Sequence, residues 1–252
     1  MAEPLLEIHG LCKQFGGVIA TDHLDLAVAS GGVHALIGPN GAGKTTLIAQ
    51  ICGEVASDAG RIVFAGRDVT GMPACERVMI GLARSFQITC LFGKLTVGAN
   101  VALAVQARSG SSMRFWRPLK AEYALREEAA AILAEFGLAA AAARPAASLP
   151  HAAQRRLEVA LAYACRPRLL LLDEPLAGMG ADDAQTMIEL IAGLKQRITI
   201  LLVEHDMAAV FRLADTISVL VAGRVIASGR PAAIRGNAEV RQAYLGEDEV
   251  AA

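Results

Sequence analysis

Gly38-Pro39-Asn40-Gly41-Ala42-Gly43-Lys44-Thr45 is the stretch on which the fold turns. It fits G-x-x-x-x-G-K-[ST], and its flanks supply the context that this pattern requires. Ahead of it, Val33–Ile37 is a short apolar run that Gly38 stops; behind it, Thr45 to Cys52 reads as an amphipathic helix. A strand, a glycine-rich turn and a helix in this order make a loop that wraps phosphates. Glycines let backbone N–H groups close around the oxygens with no Cβ in the way. The helix then aims the positive end of its dipole at them. Lys44 brings a point charge to the β- and γ-phosphates, and the Thr45 hydroxyl is placed to ligate Mg²⁺. The plain alternative, a glycine-rich turn with a chance Lys-Thr, is weakened because strand, loop and helix coincide.

Further out, Arg61–Phe64 alternates like a half-buried strand and ends at Ala65-Gly66. Apolar runs return at Leu169–Leu172, Ile198–Val203 and Ile217–Val221, with helix candidates at Ala181–Lys195 and Met207–Leu213. Strands alternating with helices imply a parallel sheet buried on both faces. Leu169–Leu172 runs into Asp173-Glu174-Pro175, where one carboxylate can serve a metal and the next an attacking water. Such a pair standing alone would read as solvated acids at a strand end. His205 follows Ile198–Val203 and Glu204, at the kind of strand terminus where open α/β sheets bind ligands. His9, His23 and His34 are expected to be structural, since no pair has metal-ligand spacing. Between the outer and inner strands, Val97–Leu138 carries helix formers at helical spacing, broken by Arg108–Pro118. The expectation is one α/β core (1–87 and 164–252) with a mostly helical insertion at about 88–163. The alanine-rich tract Ala139–Ala147 reads as helix end and linker.

Composition narrows the classes. The 252 residues are 54% hydrophobic and 19% charged, with a formal charge of −1. A chain of this length buries roughly 70–75% of its unfolded surface, enough for its own core. The near-zero charge argues against a broad electrostatic grip on nucleic acid. No apolar run approaches the ~18 residues that cross a bilayer. The opening MAEPLLEIHG lacks the features of a secretory signal, so none is expected. Five scattered cysteines (12, 52, 75, 90 and 165), with no C-x-x-C, read as small buried hydrophobes in a reducing cytosol.

With these residues in hand, the sequence resembles the nucleotide-binding subunit of an ABC transporter over nearly the whole chain. The glycine loop, Arg84-Ser85-Phe86-Gln87, Leu172-Asp173-Glu174-Pro175 and Val203-Glu204-His205-Asp206 occur in that family's order. More narrowly, it is similar to the ATPases of branched-chain and hydrophobic amino-acid importers. That likeness lies in Phe15-Gly16-Gly17, Ser85-Phe86-Gln87, Gln154-Arg155-Arg156-Leu157-Glu158, Ala177-Gly178-Met179, Ala243-Tyr244-Leu245-Gly246 and the insertion holding Trp116. The resemblance implies an α/β P-loop NTPase domain: a mostly parallel core sheet, an antiparallel β subdomain and an inserted helical subdomain. It implies ATP bound by Phe15 (stacked on adenine) and Gly38–Thr46, including Thr46. It implies Mg²⁺ held by Thr45, Gln87 and, through water, Asp173. Glu174 would polarise the attacking water, Gln87 would touch it, and His205 would bond the γ-phosphate. The implied partners are a second nucleotide subunit, two permeases and an external substrate-binding protein, with the chain at the cytoplasmic membrane face.

The sequence departs from that pattern where one subunit closes on its partner's ATP. The signature, usually Leu-Ser-Gly-Gly-Gln, here reads Leu149-Pro150-His151-Ala152-Ala153, followed by a matching Gln154. Pro150 lacks the serine's hydroxyl and an N–H, Ala152 adds a Cβ, and Gly180 stands where relatives have Asp or Asn. Since only trans-acting elements have drifted, the expectation is a heterodimer with one impaired ATP site. Local tolerance of the divergence and a decaying paralogue are the blander readings. Two other functions compete: a lipopolysaccharide-export ATPase, which the tail Tyr244–Asp248 also resembles, and a soluble ABC ATPase acting on DNA or ribosomes. Against the latter stand a single P-loop and the absence of sustained heptads. The basic stretch Arg108, Arg114, Arg117 and Lys120, with Phe115 and Trp116, reads as a solvated loop rather than a nucleic-acid patch.

Overall fold

The computed structural model describes residues 4–85, 91–108 and 119–242. In chain order the elements are β1 (Pro4–Phe15), β2 (Val18–Ala29), β3 (Val33–Ile37), α1 (Lys44–Cys52), β4 (Ala59–Phe64), β5 (Arg67–Asp68), α2 (Ala74–Met79) and β6 (Leu82–Arg84). Then come α3 (Val97–Arg108), α4 (Leu119–Glu135), α5 (His151–Ala164), β7 (Leu169–Asp173), α6 (Ala181–Leu194), β8 (Thr199–Val203) and α7 (Met207–Leu213). The chain ends its described part with β9 (Thr216–Val221), β10 (Arg224–Gly229), α8 (Pro231–Gly236) and the single turn α9 (Ala238–Val240). It divides into two compact units, Met1–Arg77 with Ile191–Ala252, and Val78–Leu190. The 88–163 segment expected as an insertion lies within the second unit, whose bounds are wider on both sides.

In the first unit, β2-β1-β4-β5 form an antiparallel sheet. The β1–β2 hairpin turns on Gly16-Gly17, with Phe15 opposite Val18. In β2, Leu24, Leu26 and Val28 are buried while His23, Asp25 and Ala27 are exposed, the period-2 pattern of a one-sided sheet. Beside it, β3 runs parallel to β8 on one side and β9 on the other, and β10 returns antiparallel to β9. All five residues of both β3 and β8 are buried, as continuous apolar runs in parallel strands should be. A cluster of Ile37, Val210, Ile217, Val219 and Ile234 closes one face of this sheet. His34 is the polar exception in β3: its Nε2 is hydrogen-bonded to Ser218 Oγ (2.8 Å), which meets Ser228 Oγ (2.9 Å). Burial pushes the His34 imidazole down to about 4, so the ring is neutral in the fold.

In the second unit, β6 pairs parallel to the fully buried β7, and α3, α4 and α5 pack together beside them. Arg108 at the end of α3 grips Glu128 of α4 through both guanidinium nitrogens (2.8 and 2.9 Å) and also caps Ala164 O of α5. The tract Ala139–Ala147 joins α4 to α5 as the linker expected, and it is pinned in place. Its backbone is stitched to 93–98: Gly98 N donates to Ala142 O, Val97 N to Arg144 O and Ala146 N to Leu95 O. Small side chains allow that close approach, and Ala146 is wholly buried. The cysteines also depart from expectation. Only Cys52 among those described is buried; Cys75 is exposed on α2, and Cys90 lies outside the described residues. No described helix is long and apolar enough to cross a membrane.

Candidate functional site

The first unit carries the phosphate loop. β3 is paired with β8 at Leu36↔Val203 and with β9 at Ile37↔Val219, so Gly38 emerges where these parallel strands end. Two glycines in the loop are compulsory. A Cβ on Gly38 (φ +156°) would lie 2.0 Å from Leu220 O, and one on Gly43 (φ +104°) would lie 2.1 Å from Ala20 O. The loop's back is braced by two more backbone bonds, Gly223 N to Ala42 O (2.9 Å) and Asp22 N to Gly223 O (3.0 Å). Arg224 of β10 and Asp22 of β2 add an ion pair at 2.8 Å beside that last bond. The loop thus holds its shape through neighbours on β2, on β9 and in the β9–β10 turn.

α1 starts on this loop with Gly43 as its cap, no side-chain capping bond and no acidic residue in its first turn among the described residues. Those are the conditions under which a helix N-terminus takes an anion. Lys44 Nζ meanwhile donates to Gly38 O (2.6 Å) and Pro39 O (3.0 Å), folding back over the loop. Thr45 is exposed at the helix start, and Thr46 is half-buried behind it. The far end of α1 is held by Arg77, only 2% exposed. Its guanidinium donates to Gln50 O, Ile51 O, Thr70 O and Met72 O at 2.7–2.9 Å. A cation on the last carbonyls suits the negative end of the helix dipole. Burial pulls the Arg77 pKa below its ordinary value. The α1 flank is held by Gln50, fully buried, which bonds Thr21, Cys12 O and Ser57.

Phe15 stands at the hairpin tip, 49% exposed, with Lys13 Nζ 5.3 Å from its ring centroid. An aromatic face this open is available for stacking. At the end of β8, Glu204 is buried and its carboxylate accepts from His205 N (3.0 Å). The His205 ring is 64% exposed, with Nδ1 3.8 Å from Glu204 Oε2. Asp206 accepts from Ala209 N and caps α7, so His205 is pinned between a strand end and a helix start.

The second unit holds the acidic pair. Asp173 ends β7 almost fully buried, and its Oδ2 accepts from Arg84 at 2.8 Å. Glu174 follows in a left-handed conformation (φ +49°), which a non-glycine residue adopts at a cost of about 1–3 kcal/mol. Strain of that kind is concentrated at functional sites. Pro175 and Leu176 are buried next, and Ala177 N returns to Glu174 O, making a tight turn that fixes the glutamate's direction. In the signature stretch, Leu149 is buried and Pro150 occupies the N-cap of α5, where a missing N–H costs the helix nothing. His151 is exposed, its Cε1 3.3 Å from where a Gly178 Cβ would stand. Ala152 and Ala153 are both 8% exposed. Gln154 Nε2 donates to Leu149 O (3.1 Å), and Gly180 is open to solvent.

Phe15, Gly38–Thr46 and His205 therefore belong to the first unit, and Asp173, Glu174, Leu149–Gln154 and Gly180 to the second. Gln87 lies outside the described residues, as do Phe115, Trp116 and the tail Tyr244–Asp248. Thr45 and Asp173 offer hard oxygen donors of the type that suits Mg²⁺. Sequence reasoning missed Arg77 and Gln50, which show no motif and no periodic signal. Arg84 lies inside the stretch Arg84-Ser85-Phe86-Gln87, which by itself assigns it no role.

Fold and loop together define an α/β protein of the P-loop class that binds nucleoside triphosphates. The chain belongs to the ABC transporter family, whose profile matches residues 21–177, and it is an ATPase of that family. A second profile, described as branched-chain amino acid ATP-binding cassette transporter, matches residues 224–250. The high-affinity branched-chain amino acid transport ATP-binding proteins LivG of Salmonella typhimurium and BraF of Pseudomonas aeruginosa are each 37% identical to it. Both alignments cover 98% of this chain and 100% of the relative. Among solved structures, the ATP-binding cassette MJ1267 of an ABC transporter superposes with a TM-score of 0.85 at 29% identity, over 97% of this chain and 100% of that one.

Proposed function

We propose that this chain binds and hydrolyses ATP to drive an importer of branched-chain or other hydrophobic amino acids, or of related small molecules. The observation that carries the reading is the loop Gly38–Thr45, whose Gly38 and Gly43 admit no Cβ and whose helix has no side-chain cap and no acid in its first turn. The transport class is supported by the family match at 224–250, a region that covers the tail also resembling lipopolysaccharide-export ATPases.

In this reading Phe15 stacks on adenine, the amides of Gly38–Gly43 cradle the phosphates, and Lys44 exchanges its two loop carbonyls for phosphate oxygens. Thr45, Gln87 and, through water, Asp173 would hold Mg²⁺, which supplies charge neutralisation on the phosphates when bound. Glu174 accepts the proton side of the attacking water as its oxygen approaches the γ-phosphorus and ADP leaves. His205 donates to the γ-phosphate. Positioning and charge stabilisation do most of such catalysis. Residues 1–87 and 164–252 act as the nucleotide core, with about 88–163 as the inserted helical part, and the segment carrying Gln87 meets the membrane subunit. The chain sits peripherally on the cytoplasmic face of the membrane, with two permeases, a second nucleotide subunit and an external binding protein as partners. Nucleic acid is not among them.

The drifted stretch Leu149-Pro150-His151-Ala152-Ala153 and Gly180 further support a heterodimer in which this chain's own ATP site works and its partner's is impaired. Losing two donors to phosphate, at about 1.5–3 kcal/mol each, weakens that closure about a hundredfold or more. ATP titration of the purified chain tests the first part: micromolar to millimolar binding that Lys44→Ala removes supports it, and indifference to ATP ends it. Turnover in the reconstituted complex tests the second. Glu174→Gln in this chain should stop hydrolysis, and full activity of this chain as a homodimer would remove the one-sided scheme.

A further inference from the structure

Arg84 reaches Asp173 by strand geometry. It pairs with Leu171 across the parallel β6–β7 ladder, and Asp173 lies two residues further on, hence on the same face. The ladder continues past Arg84, with Ser85 N donating to Leu171 O (2.9 Å), so the arginine is anchored on both sides. The resulting ion pair, 2.8 Å long, has side chains 9% and 2% exposed. A surface pair of this kind would mean little, but a buried carboxylate requires a partner and takes its direction from it. The bond engages Asp173 Oδ2, so Oδ1 is the oxygen this pair does not occupy, on a residue that ends β7 directly before Glu174.

We propose that Arg84 is a positioning residue for Asp173: by holding Oδ2 it sets the oxygen that the carboxylate presents to the hydrated cation of Mg·ATP. This rests on the nucleotide reading above. Groups that hydrogen-bond a metal-serving carboxylate are worth about 10–100-fold in metal affinity. Arg84 holds the carboxylate through one terminal guanidinium nitrogen, a contact that a lysine ammonium reproduces only in part.

The test uses the full chain, with Arg84→Met, Arg84→Lys, Asp173→Asn and the Arg84→Met/Asp173→Asn pair, each checked for a cooperative melt. ATP binding is first measured in EDTA, then Mn²⁺ binding is followed by electron paramagnetic resonance at saturating ATP. Arg84→Met should keep its metal-free ATP affinity within about twofold, while half-saturating Mn²⁺ rises about tenfold or more. Arg84→Lys should recover only part of that loss, leaving half-saturating Mn²⁺ raised about threefold, and this residual rise carries the test if the methionine variant does not fold. In the Asp173→Asn background the same Arg84 change should add nothing, because the two act through one carboxylate. Unaltered Mn²⁺ demand in the Arg84 variants, or an equal cost with and without Asp173, overturns Arg84's role alone. A wild-type chain that binds no ATP overturns the nucleotide reading instead.

Discussion

Lowering the pH from 7 to 5 should destabilise this protein through His34, by an amount the fold fixes. The imidazole is sealed in β3, and burial moves its pKa from the ordinary 6.5 to about 4. In the unfolded chain the same ring takes a proton as pH falls through 6.5. Between 6.5 and 4 the unfolded state therefore binds more protons than the folded one, and stability falls with pH. The full contribution is present above 6.5 and is lost progressively down to about 4. The shift of about two and a half units corresponds to a ceiling of about 3 kcal/mol, of which about 2 kcal/mol is lost by pH 5. Urea unfolding followed by circular dichroism at pH 5, 6, 7 and 8 measures this directly. His34→Gln keeps a polar group near Ser218 but cannot titrate in this range, so its stability should fall less steeply, the gap between the two curves closing by about 2 kcal/mol from pH 7 to 5. Parallel curves, or an NMR titration of His34 near 6.5 in the folded chain, would refute the reasoning.

Three other outcomes follow from the site. Gly38→Ala drives a methyl into Leu220 O and should cost about 3 kcal/mol or more together with ATP binding, whereas Gly41→Ala, at φ +80° with no atom within 4 Å, should cost only about 1–2 kcal/mol; thermal melts and nucleotide titrations of both variants separate the two. Arg77→Met strips four carbonyls of their donor and should lower stability by about 3–5 kcal/mol, with Arg77→Lys intermediate in the same melts. Glu174→Gly should abolish turnover yet hold or raise stability by about 1 kcal/mol, because glycine adopts the left-handed conformation without strain; a melt below wild type would place the strain elsewhere.

Much of this was legible in the chain because local patterns and tertiary roles coincide. Val33–Ile37, Leu169–Leu172 and Ile198–Val203 are apolar runs too short for helices and flanked by breakers, so burial on both faces was the remaining reading, and β3, β7 and β8 follow it to within a residue. β1 and β2 were harder to see one residue at a time. They span 12 residues each with register shifts, and Gly10 and His23 at positive φ break their alternation. Ala139–Ala147 was legible as the linker between α4 and α5, but not the close backbone approach to 93–98 that its small side chains permit. Arg77 was illegible for a different reason. An arginine on a short helix usually faces water, and its burial depends on carbonyls from Gln50 to Met72 that only the folded chain assembles.

The same distinction bears on the altered signature. From sequence, Pro150 counts as a lost N–H and Ala152 as an intruding methyl. In the fold, Pro150 takes an N-cap, a position outside the helix ladder, and Ala152 is buried rather than projecting. The amides of His151, Ala152 and Ala153 still head α5, with Gln154 N the first to bond back, to Pro150 O. The loss that remains is chemical: the serine hydroxyl and the Pro150 N–H have gone as donors, and an imidazole stands beside Gly178 in place of a bare backbone. The impaired-site proposal thus rests on His151 and the missing serine more than on crowding by Ala152. Restoring Ser at 150 and Gly at 151 should recover the partner's site, while Ala152→Gly alone should leave it nearly unchanged.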